Sequence, residues 1–195
     1  MSRRLIYVVG PSGAGKDSLL AWLRLQTPNS APVHWARRTI NRPQADGPDS
    51  EKHEVVDDLF FDDLLVSNEF AMHWNANSHR YGIRKSELIY LDNPNYCVLV
   101  NGSRAHLPIA ANLYPDLTVL HITADTDVLR QRLCFRARES EEAIEARLRR
   151  AIDLDLPTGC SLIEIHNNNS LDTSGQKLLE HLKKLSYWPK NASQY

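Results

Sequence analysis

The sequence has few of the features that mark membrane, disulfide-rich or nucleic-acid-binding proteins. Only three of its 195 residues are cysteines, and no C-x-x-C spacing occurs, which argues against a disulfide framework or a zinc site. No apolar run approaches the roughly 20 residues that span a bilayer. The net charge of −1 leaves no basic excess for binding nucleic acid. We therefore expect a cytoplasmic protein with neither a membrane nor a nucleic acid as partner.

The composition is that of an ordinary globular protein. Hydrophobic residues make up 42% and charged residues 24% of the chain, and no internal repeat is visible. A chain of this length can bury a sizeable core without a disulfide or metal. We predict a single domain over 1–195, while the sequence leaves the oligomeric state open. The tail at 186–195 lacks periodicity and is expected to be mobile.

Short apolar runs alternate with helical patterns along most of the chain. The runs at 5–9, 96–100 and 117–122 are continuous, which is typical of parallel strands covered on both faces. The alternation predicts an α/β fold with a parallel sheet core flanked by helices. Helical patterns cover 16–25, 103–113, 127–135, 141–152 and 173–185, and a last strand is predicted at 161–165.

The middle of the chain departs from this alternation. Residues 40–50 contain two prolines and a glycine with few apolar side chains, and residues 70–83 mix polar and aromatic residues as short strands do. We predict a small inserted subdomain at about 36–91.

A glycine-rich loop follows the first predicted strand. Its residues Gly-Pro-Ser-Gly-Ala-Gly-Lys fit the pattern G-x-x-x-x-G-K and lead into a helical pattern. Backbone N–H groups of such loops surround phosphate oxygens, the helix N-terminus adds its positive dipole end, and Lys16 neutralises the terminal phosphates. The predicted phosphate-binding residues are Gly10, Pro11, Ser12, Gly13, Ala14, Gly15, Lys16, Asp17 and Ser18.

Asp17 stands where this motif normally has a Ser or Thr that ligates Mg²⁺. A carboxylate is also a hard oxygen ligand for Mg²⁺. The strand at 96–100 leads into Asn101, where an acidic residue would otherwise orient the metal. We predict that the negative charge has moved to Asp17 and that Asp17 contacts Mg²⁺. The alternative is an acid that only complements the helix dipole.

Together, the loop, an Arg/Thr-rich segment, a Tyr-Gly pair and an Arg-x(3)-Arg stretch resemble the guanylate-kinase branch of P-loop kinases over about 5–185. Within that branch, Gly-Lys-Asp-Ser at 15–18, the segment 74–82 and Val-Asn-Gly-Ser-Arg at 100–104 most resemble the ribose 1,5-bisphosphate phosphokinases of phosphonate catabolism. The resemblance implies a P-loop NTPase fold, ATP and Mg²⁺ as cofactors, and a sugar phosphate as acceptor. The product would be 5-phosphoribosyl 1-diphosphate.

The resemblance also implies an acceptor site on the inserted subdomain. Arg42 matches an arginine that grips the acceptor phosphate, and Arg38 precedes it. Tyr81 matches a tyrosine that binds the same phosphate, and Gly82 lets the chain approach closely. Arginine suits this role because its planar fork binds phosphate oxygens bidentately. The roles of Arg37 and Arg80 stay open.

Met72 occupies the position at which guanylate kinases have a guanine-reading glutamate. A second acid would fall near Asn101 or Gly102, and neither is acidic. A site loses much of its discrimination for a base when the groups that bind the base are missing. The acceptor site therefore has the phosphate-handling residues without the guanine readers, which fits a sugar phosphate.

The remaining candidates belong to a lid at about 134–146 and to the last strand. Arg136 and Arg147 match lid arginines that close over ATP, as Arg132 does, while the role of Arg138 stays open. Asn167 resembles a turn residue near adenine, with a simple Asn-rich turn as the alternative. The predicted catalytic residues are Lys16, Arg42, Arg136 and Arg147.

Two other functions are weighed against this one. Guanylate kinase, or another nucleoside monophosphate kinase, is disfavoured by Met72. A non-catalytic guanylate-kinase-like binding module is disfavoured because such modules lose phosphate-binding residues, whereas Gly15, Lys16, Arg42 and Arg136 are all present here.

Overall fold

A computed structural model describes residues 4–41, 53–76, 78–135, 141–149 and 154–189 of the chain. In chain order the elements are β1 (Leu5–Val9), α1 (Lys16–Gln26), β2 (Val33–Ala36), β3 (Arg38–Ile40), β4 (Glu54–Val55), α2 (Asp58–Val66), β5 (Phe70–Ala76), β6 (His79–Arg84), α3 (Lys85–Leu88), β7 (Cys97–Asn101), α4 (Leu107–Leu113), β8 (Thr118–Thr123), α5 (Thr126–Phe135), α6 (Glu141–Arg149), β9 (Ser161–His166) and α7 (Leu171–Lys183). A 3-10 turn at Arg104–His106 links β7 to α4.

The core is a five-stranded parallel sheet with the strand order β2-β7-β1-β8-β9. Every residue of β1 is buried, because helices or a second sheet cover both of its faces. That double cover explains why the strand is a continuous apolar run rather than an alternating one. The predicted α/β fold with a parallel sheet core is confirmed.

The two faces of the core sheet pack against different layers. Ile6 and Val8 of β1 contact the layer formed by α1, α5, α6 and α7. Leu5, Tyr7 and Val9 point the other way, toward α4 and the second sheet. Because neighbouring residues of a strand face opposite sides, one short run of sequence supplies both halves of the core.

The second sheet lies within the predicted insertion and has the order β4-β3-β6-β5. Its β3–β6 and β5–β6 pairs are antiparallel, and β3–β4 is parallel. Helix α2, which the sequence analysis did not predict, packs on this sheet through Phe61 and Leu64 against Phe70. The helix begins at an N-cap in which the Asp57 side chain accepts a hydrogen bond from the Phe60 N–H.

The C-terminal segment closes the helical layer behind the core sheet. Trp188 is 1% exposed and belongs to the same core cluster as Ile6. The Tyr187 hydroxyl hydrogen-bonds to Thr118 at 2.5 Å. The segment expected to be mobile from residue 186 is thus packed on the core as far as Trp188, because two aromatic side chains anchor it. Residues 190–195 lie outside the described ranges.

No helix within the described ranges combines the length and the apolar character needed to cross a membrane.

Candidate active site

The glycine-rich loop joins β1 to α1 and lies at the carboxyl edge of the core sheet. A side chain at Gly10 would lie 2.0 Å from the carbonyl oxygen of Ile122 on β8. Gly15 has φ 82°, in the left-handed region, and stands directly before α1 as its N-cap. Both positions therefore require glycine, one for a close backbone approach and one for its conformation.

Lys16 folds back over this loop. Its ammonium group donates a hydrogen bond to the Gly10 carbonyl at 3.0 Å. The positive charge is thus held at the first turn of α1, beside the backbone that leads into the helix N-terminus. Both features favour an anion at this place.

Asn167 and Arg132 brace the loop from behind. The Asn167 side chain is buried, and its amide donates to the Ala14 carbonyl at 2.8 Å. Arg132 donates to the Asn167 carbonyl at 2.8 Å and to the Gly13 carbonyl at 3.4 Å. The sequence pattern did not single out this bracing role, because nothing in the spacing of 13, 132 and 167 links the three positions.

A cleft of about 540 Å³ opens beside the loop. Its walls come from the loop, from α5 and from the start of α7. Phe135, at the end of α5, is 93% exposed and presents its ring at this cleft. Asn169 and Gln131 add polar groups there. A mixed wall of one aromatic ring and amide groups suits a flat, polar base.

Asp17 and Asn101 meet at the junction of loop and sheet. The Asn101 side-chain amide donates to the Asp17 carboxylate at 2.9 Å, although the two residues are 84 positions apart. Asn101 is 5% exposed at the end of β7, whereas Asp17 is exposed. The sequence predicted that a negative charge has moved from the end of this strand to Asp17. The structure shows that the two side chains are in contact.

The donor set at this junction fits Mg²⁺ bound mainly by phosphates. Asp17 and Ser18 both supply hard oxygen atoms at an exposed edge. The described residues include no group of three or more His, Cys, Asp or Glu side chains that would hold a metal by themselves. Mg²⁺ commonly binds in this manner, through one or two carboxylates together with substrate phosphates and water.

Tyr81 lies at the centre of a row of aromatic and cationic side chains on the second sheet. Its ring stacks on Trp74 at 5.8 Å with the planes 6° apart. The Arg38 guanidinium lies 5.5 Å from the centre of the Tyr81 ring, which is a cation–π distance. Arg38 and Tyr81, both predicted to bind the acceptor, are thus neighbours.

Gly82 makes room for a side chain of its own sheet. A side chain there would lie 2.2 Å from the Phe70 ring. Phe70 therefore requires a glycine at this position, and contact of Gly82 with the acceptor stays a prediction.

Met72 lies inside the apolar core rather than at an open surface. It is 2% exposed and pairs across the strands with Ile83, which is fully buried. Both side chains belong to the cluster that packs the second sheet on the core sheet. The position of a guanine-reading glutamate is therefore filled by an apolar contact.

Arg37 and Arg80, whose roles the sequence left open, have partners within the protein. Arg80 lies 2.6 Å from Asp62 and 4.3 Å from the centre of the Phe61 ring, so it ties β6 to α2. Arg37 lies 3.8 Å from the Glu87 carboxylate. Both contacts lie within the insertion.

Tyr7 of β1 holds the turn after β7 in place. Its hydroxyl accepts a hydrogen bond from the Ser103 N–H at 3.1 Å, and burial raises the pKa of Tyr7. A side chain at Gly102 would overlap the Tyr7 ring, at 2.1 Å. The turn therefore holds a defined position at the carboxyl edge of the core sheet.

His106 ends this turn, and the sequence analysis did not select it. Its ring stacks on Trp74 at 5.4 Å, so it extends the row that begins at Arg38 and Tyr81. Burial lowers the pKa of His106, and the nearby charge of His73 lowers it further. Both effects favour the neutral form of the imidazole.

Three predicted site residues cannot be placed in this arrangement. Arg42 and Arg136 lie outside the described residues, as does Arg138, for which the sequence predicted no role. Arg147 falls on α6, and its side chain is not among those described. The roles of Arg42, Arg136 and Arg147 remain predictions from the sequence.

The sequence has close relatives of known name, although no protein-family model matches it. It is 39% identical over 188 residues to "Ribose 1,5-bisphosphate phosphokinase PhnN" of Burkholderia mallei strain SAVP1, a match that covers 95% of this chain and 98% of that protein. A protein of the same name from Janthinobacterium sp. strain Marseille is 40% identical over 183 residues, and the chain spans 39% of its length.

The fold is also that of a solved kinase structure. The crystal structure of guanylate kinase from Anaplasma phagocytophilum superposes with a TM-score of 0.60, over 94% of this chain and 87% of that one. Only 12% of the residues are identical, so this likeness concerns the fold alone.

Proposed function

This chain belongs to the family of ribose 1,5-bisphosphate phosphokinases, and from that membership we propose that it transfers the γ-phosphoryl group of ATP to the 1-phosphate of ribose 1,5-bisphosphate. The products are 5-phosphoribosyl 1-diphosphate and ADP. The observation that carries the proposal is the pairing of a G-x-x-x-x-G-K phosphate loop with an acceptor side whose base-reading position is an apolar, buried Met72.

On the donor side, the loop at 10–16 takes the phosphates of ATP and the adjoining cleft takes its adenine. The backbone N–H groups of the loop and the start of α1 bind the phosphate oxygens. Lys16 leaves its contact with the Gly10 carbonyl to neutralise the β- and γ-phosphates. Asn167 and Arg132 keep the loop in shape during this exchange.

Mg²⁺ would be held beside the loop by Asp17, with Ser18 next to it, and when bound it supplies positive charge to the β- and γ-phosphate oxygens. Asn101 orients the Asp17 carboxylate through its side-chain amide. A carboxylate in the loop thereby takes the place of an acid at the end of β7.

On the acceptor side, the nucleophile is a phosphate oxygen that is already anionic at neutral pH. No general base is needed, so the protein contributes alignment and charge neutralisation. Arg38 and Arg42 bind the acceptor phosphate, and the Tyr81 hydroxyl donates a hydrogen bond to it. Arg136 and Arg147 close over the transferring group from the lid and exclude water.

The missing base-reading group distinguishes this proposal from guanylate kinase activity. A guanine ring needs partners for its N–H groups, and the base-reading position holds Met72, which is buried in the core and offers none. Guanine bound without such partners would keep unpaired polar groups, at a cost of about 1–3 kcal/mol for each.

An acceptor panel tests the proposal. The purified protein is incubated with ATP and Mg²⁺ and with GMP, AMP, ribose 5-phosphate or ribose 1,5-bisphosphate, and ADP formation is followed. We expect rapid transfer only to ribose 1,5-bisphosphate, with the diphosphate product identified by ³¹P NMR. Preferential phosphorylation of GMP or AMP would contradict the proposal. An absence of transfer to every acceptor, together with intact ATP binding, would favour a binding module.

A further inference from the structure

A row of stacked side chains connects the two sheets across the acceptor side. His106 comes from the turn at the carboxyl edge of the core sheet, whereas Trp74 and Tyr81 come from the second sheet. The His106 and Trp74 rings lie 5.4 Å apart, and the Trp74 and Tyr81 rings 5.8 Å apart. The row begins on the same edge as the hydrogen bond between Asn101 and Asp17 and ends at a predicted phosphate ligand.

One polar atom of this row is buried without a partner. His106 is 5% exposed, and its Nε2 has no hydrogen-bond partner within the described part of the chain. Leaving a buried polar atom unpaired costs about 1–3 kcal/mol. Such atoms are rare in folded proteins, and one explanation for them is a functional role. Stacking alone does not account for a histidine here, because phenylalanine would stack without that cost.

We propose that His106 is a further acceptor-binding residue, whose imidazole Nε2 hydrogen-bonds to a hydroxyl group of the ribose ring. This inference rests on the proposed function and extends it to the sugar. Because Trp74 covers the imidazole, the acceptor reaches Nε2 when the Trp74 ring moves aside. The stacking contact between Trp74 and His106 is then broken. In its place, the sugar contacts both His106 at the edge of the core sheet and Trp74 on the second sheet.

The chemistry of the row favours a hydroxyl over a phosphate as the partner of His106. A neutral imidazole suits a neutral hydroxyl, which can donate to it or accept from it. Phosphates bind better to cationic groups, and Arg38 lies at the other end of the row. The apolar face of a sugar also fits beside an aromatic ring such as Trp74.

Steady-state kinetics of His106→Phe and His106→Gln test the proposal. Phenylalanine keeps the stacking and removes the nitrogen, whereas glutamine keeps a polar group. We expect His106→Phe to lower kcat/KM for ribose 1,5-bisphosphate about tenfold, the size of one lost hydrogen bond, with an unchanged KM for ATP. His106→Gln should recover part of this loss. His181→Phe, the same change on the exposed face of α7, should match the wild type.

Two further acceptors identify the group that His106 binds. With either the 2-deoxy or the 3-deoxy analogue of ribose 1,5-bisphosphate, whichever lacks the bound hydroxyl group, the wild type should lose most of its kcat/KM advantage over His106→Phe. An equal penalty for His106→Phe on ribose 1,5-bisphosphate and on both analogues would overturn the inference. Wild-type kinetics for His106→Phe on all three acceptors would overturn it as well.

Tryptophan fluorescence reports the movement of the covering ring without relying on turnover. Titration with ribose 1,5-bisphosphate in the absence of ATP should change the emission of the wild type but not that of Trp74→Phe. An unchanged wild-type emission at saturating acceptor would show that Trp74 stays on His106, and it would overturn the inference. The wild type alone tests the proposed function, because it must phosphorylate ribose 1,5-bisphosphate before any variant is compared. Failure of the wild type would contradict the proposed function, whereas a difference between the wild type and the variants concerns His106 alone.

Discussion

The hydrogen bond between Asp17 and Asn101 links a loop position with a strand end. If Asp17 holds Mg²⁺, Asp17→Asn should raise the Mg²⁺ concentration for half-maximal rate more than it raises KM for the acceptor. Asp17→Ser restores the common loop residue but leaves no acid nearby. Its activity should therefore stay below that of the wild type, although it should exceed that of Asp17→Asn. Magnesium titrations of the purified variants measure both effects.

The same pair allows a test of coupling. Asp17→Ser combined with Asn101→Asp moves the carboxylate from the loop to the strand end, and it should recover more activity than either change alone. Because the two side chains are in contact, a double-mutant cycle should show clear non-additivity. An Mg²⁺ dependence equal to that of the wild type in all variants would reduce Asp17 to an acid that complements the helix dipole.

Lys16 provides the clearest separation of catalysis from folding. Lys16→Ala removes the positive charge that meets the transferring phosphoryl group, so kcat should fall by about 10²–10³-fold. The side chain is only partly buried, and the unfolding transition should stay near that of the wild type. Lys177→Ala on the exposed face of α7 is the control for loss of a lysine. Near wild-type turnover of the folded variant with saturating ATP and Mg²⁺ would refute the role of the loop.

Substitutions of Met72 test whether the base-reading position lies in the apolar core. Met72→Glu places a carboxylate where the side chain is 2% exposed, so the variant should lose on the order of 3–5 kcal/mol of stability. Met72→Leu keeps the volume and should cost less than about 1.5 kcal/mol. Urea unfolding of the two variants makes the comparison. Equal stability of Met72→Glu and the wild type would place this side chain at an open surface.

At the scale of elements, Glu87 of α3 connects the insertion to the edge strand β2. Its carboxylate contacts His34 at 2.7 Å and accepts a hydrogen bond from the Arg37 N–H at 3.0 Å. Burial acts to raise the pKa of Glu87, but these hydrogen bonds and the charges of His34 and Arg37 outweigh it, and the pKa is lowered. A carboxyl group with a lowered pKa in the folded state stabilises the fold while it is ionised.

Glu87→Gln should therefore lower the free energy of unfolding by about 1–2 kcal/mol at pH 7. The contribution of Glu87 is complete above its usual pKa of 4.5 and is lost as the pH falls through the lower folded value. The difference between wild type and variant should shrink accordingly below about pH 4.5. Chemical unfolding at several pH values measures it, and a difference that grows as the pH falls below 4.5 would contradict the assignment.

In the second sheet, the periodicity of the sequence predicts the strands but not the helix that packs on them. The sequence indicated short strands at 70–83, and the structure has β5 and β6 there. Helix α2 was not predicted, because its nine residues mix acidic side chains with apolar ones on several sides. Its helical state depends on packing Phe61 and Leu64 against Phe70, a tertiary contact that a pattern of 3.6 residues does not express.

At the scale of the whole molecule, Trp188 closes the core behind the parallel sheet. The side chain is 1% exposed and packs with residues from β1 and α7. Trp188→Ala should lower the free energy of unfolding by about 3–5 kcal/mol, because it leaves a large cavity. Leu25→Ala, at a side chain that is 84% exposed, is the matched control with a small effect. Thermal and urea unfolding measure both, and equal stability of the two variants would show that the tail contributes little to the core.

The sequence by itself determined the features that depend on neighbouring residues. The phosphate loop, the parallel core strands and the family resemblance all follow from local order, because glycine, lysine and apolar runs act within a few positions of one another. Only the tertiary structure decided which distant residues meet. It joined Asn101 to Asp17, placed Asn167 and Arg132 behind the loop, and stacked His106 on Trp74. The contacts of the loop arise where parallel strands end side by side, and the contact of His106 with Trp74 arises where the second sheet packs on that edge. A linear pattern carries no record of either adjacency.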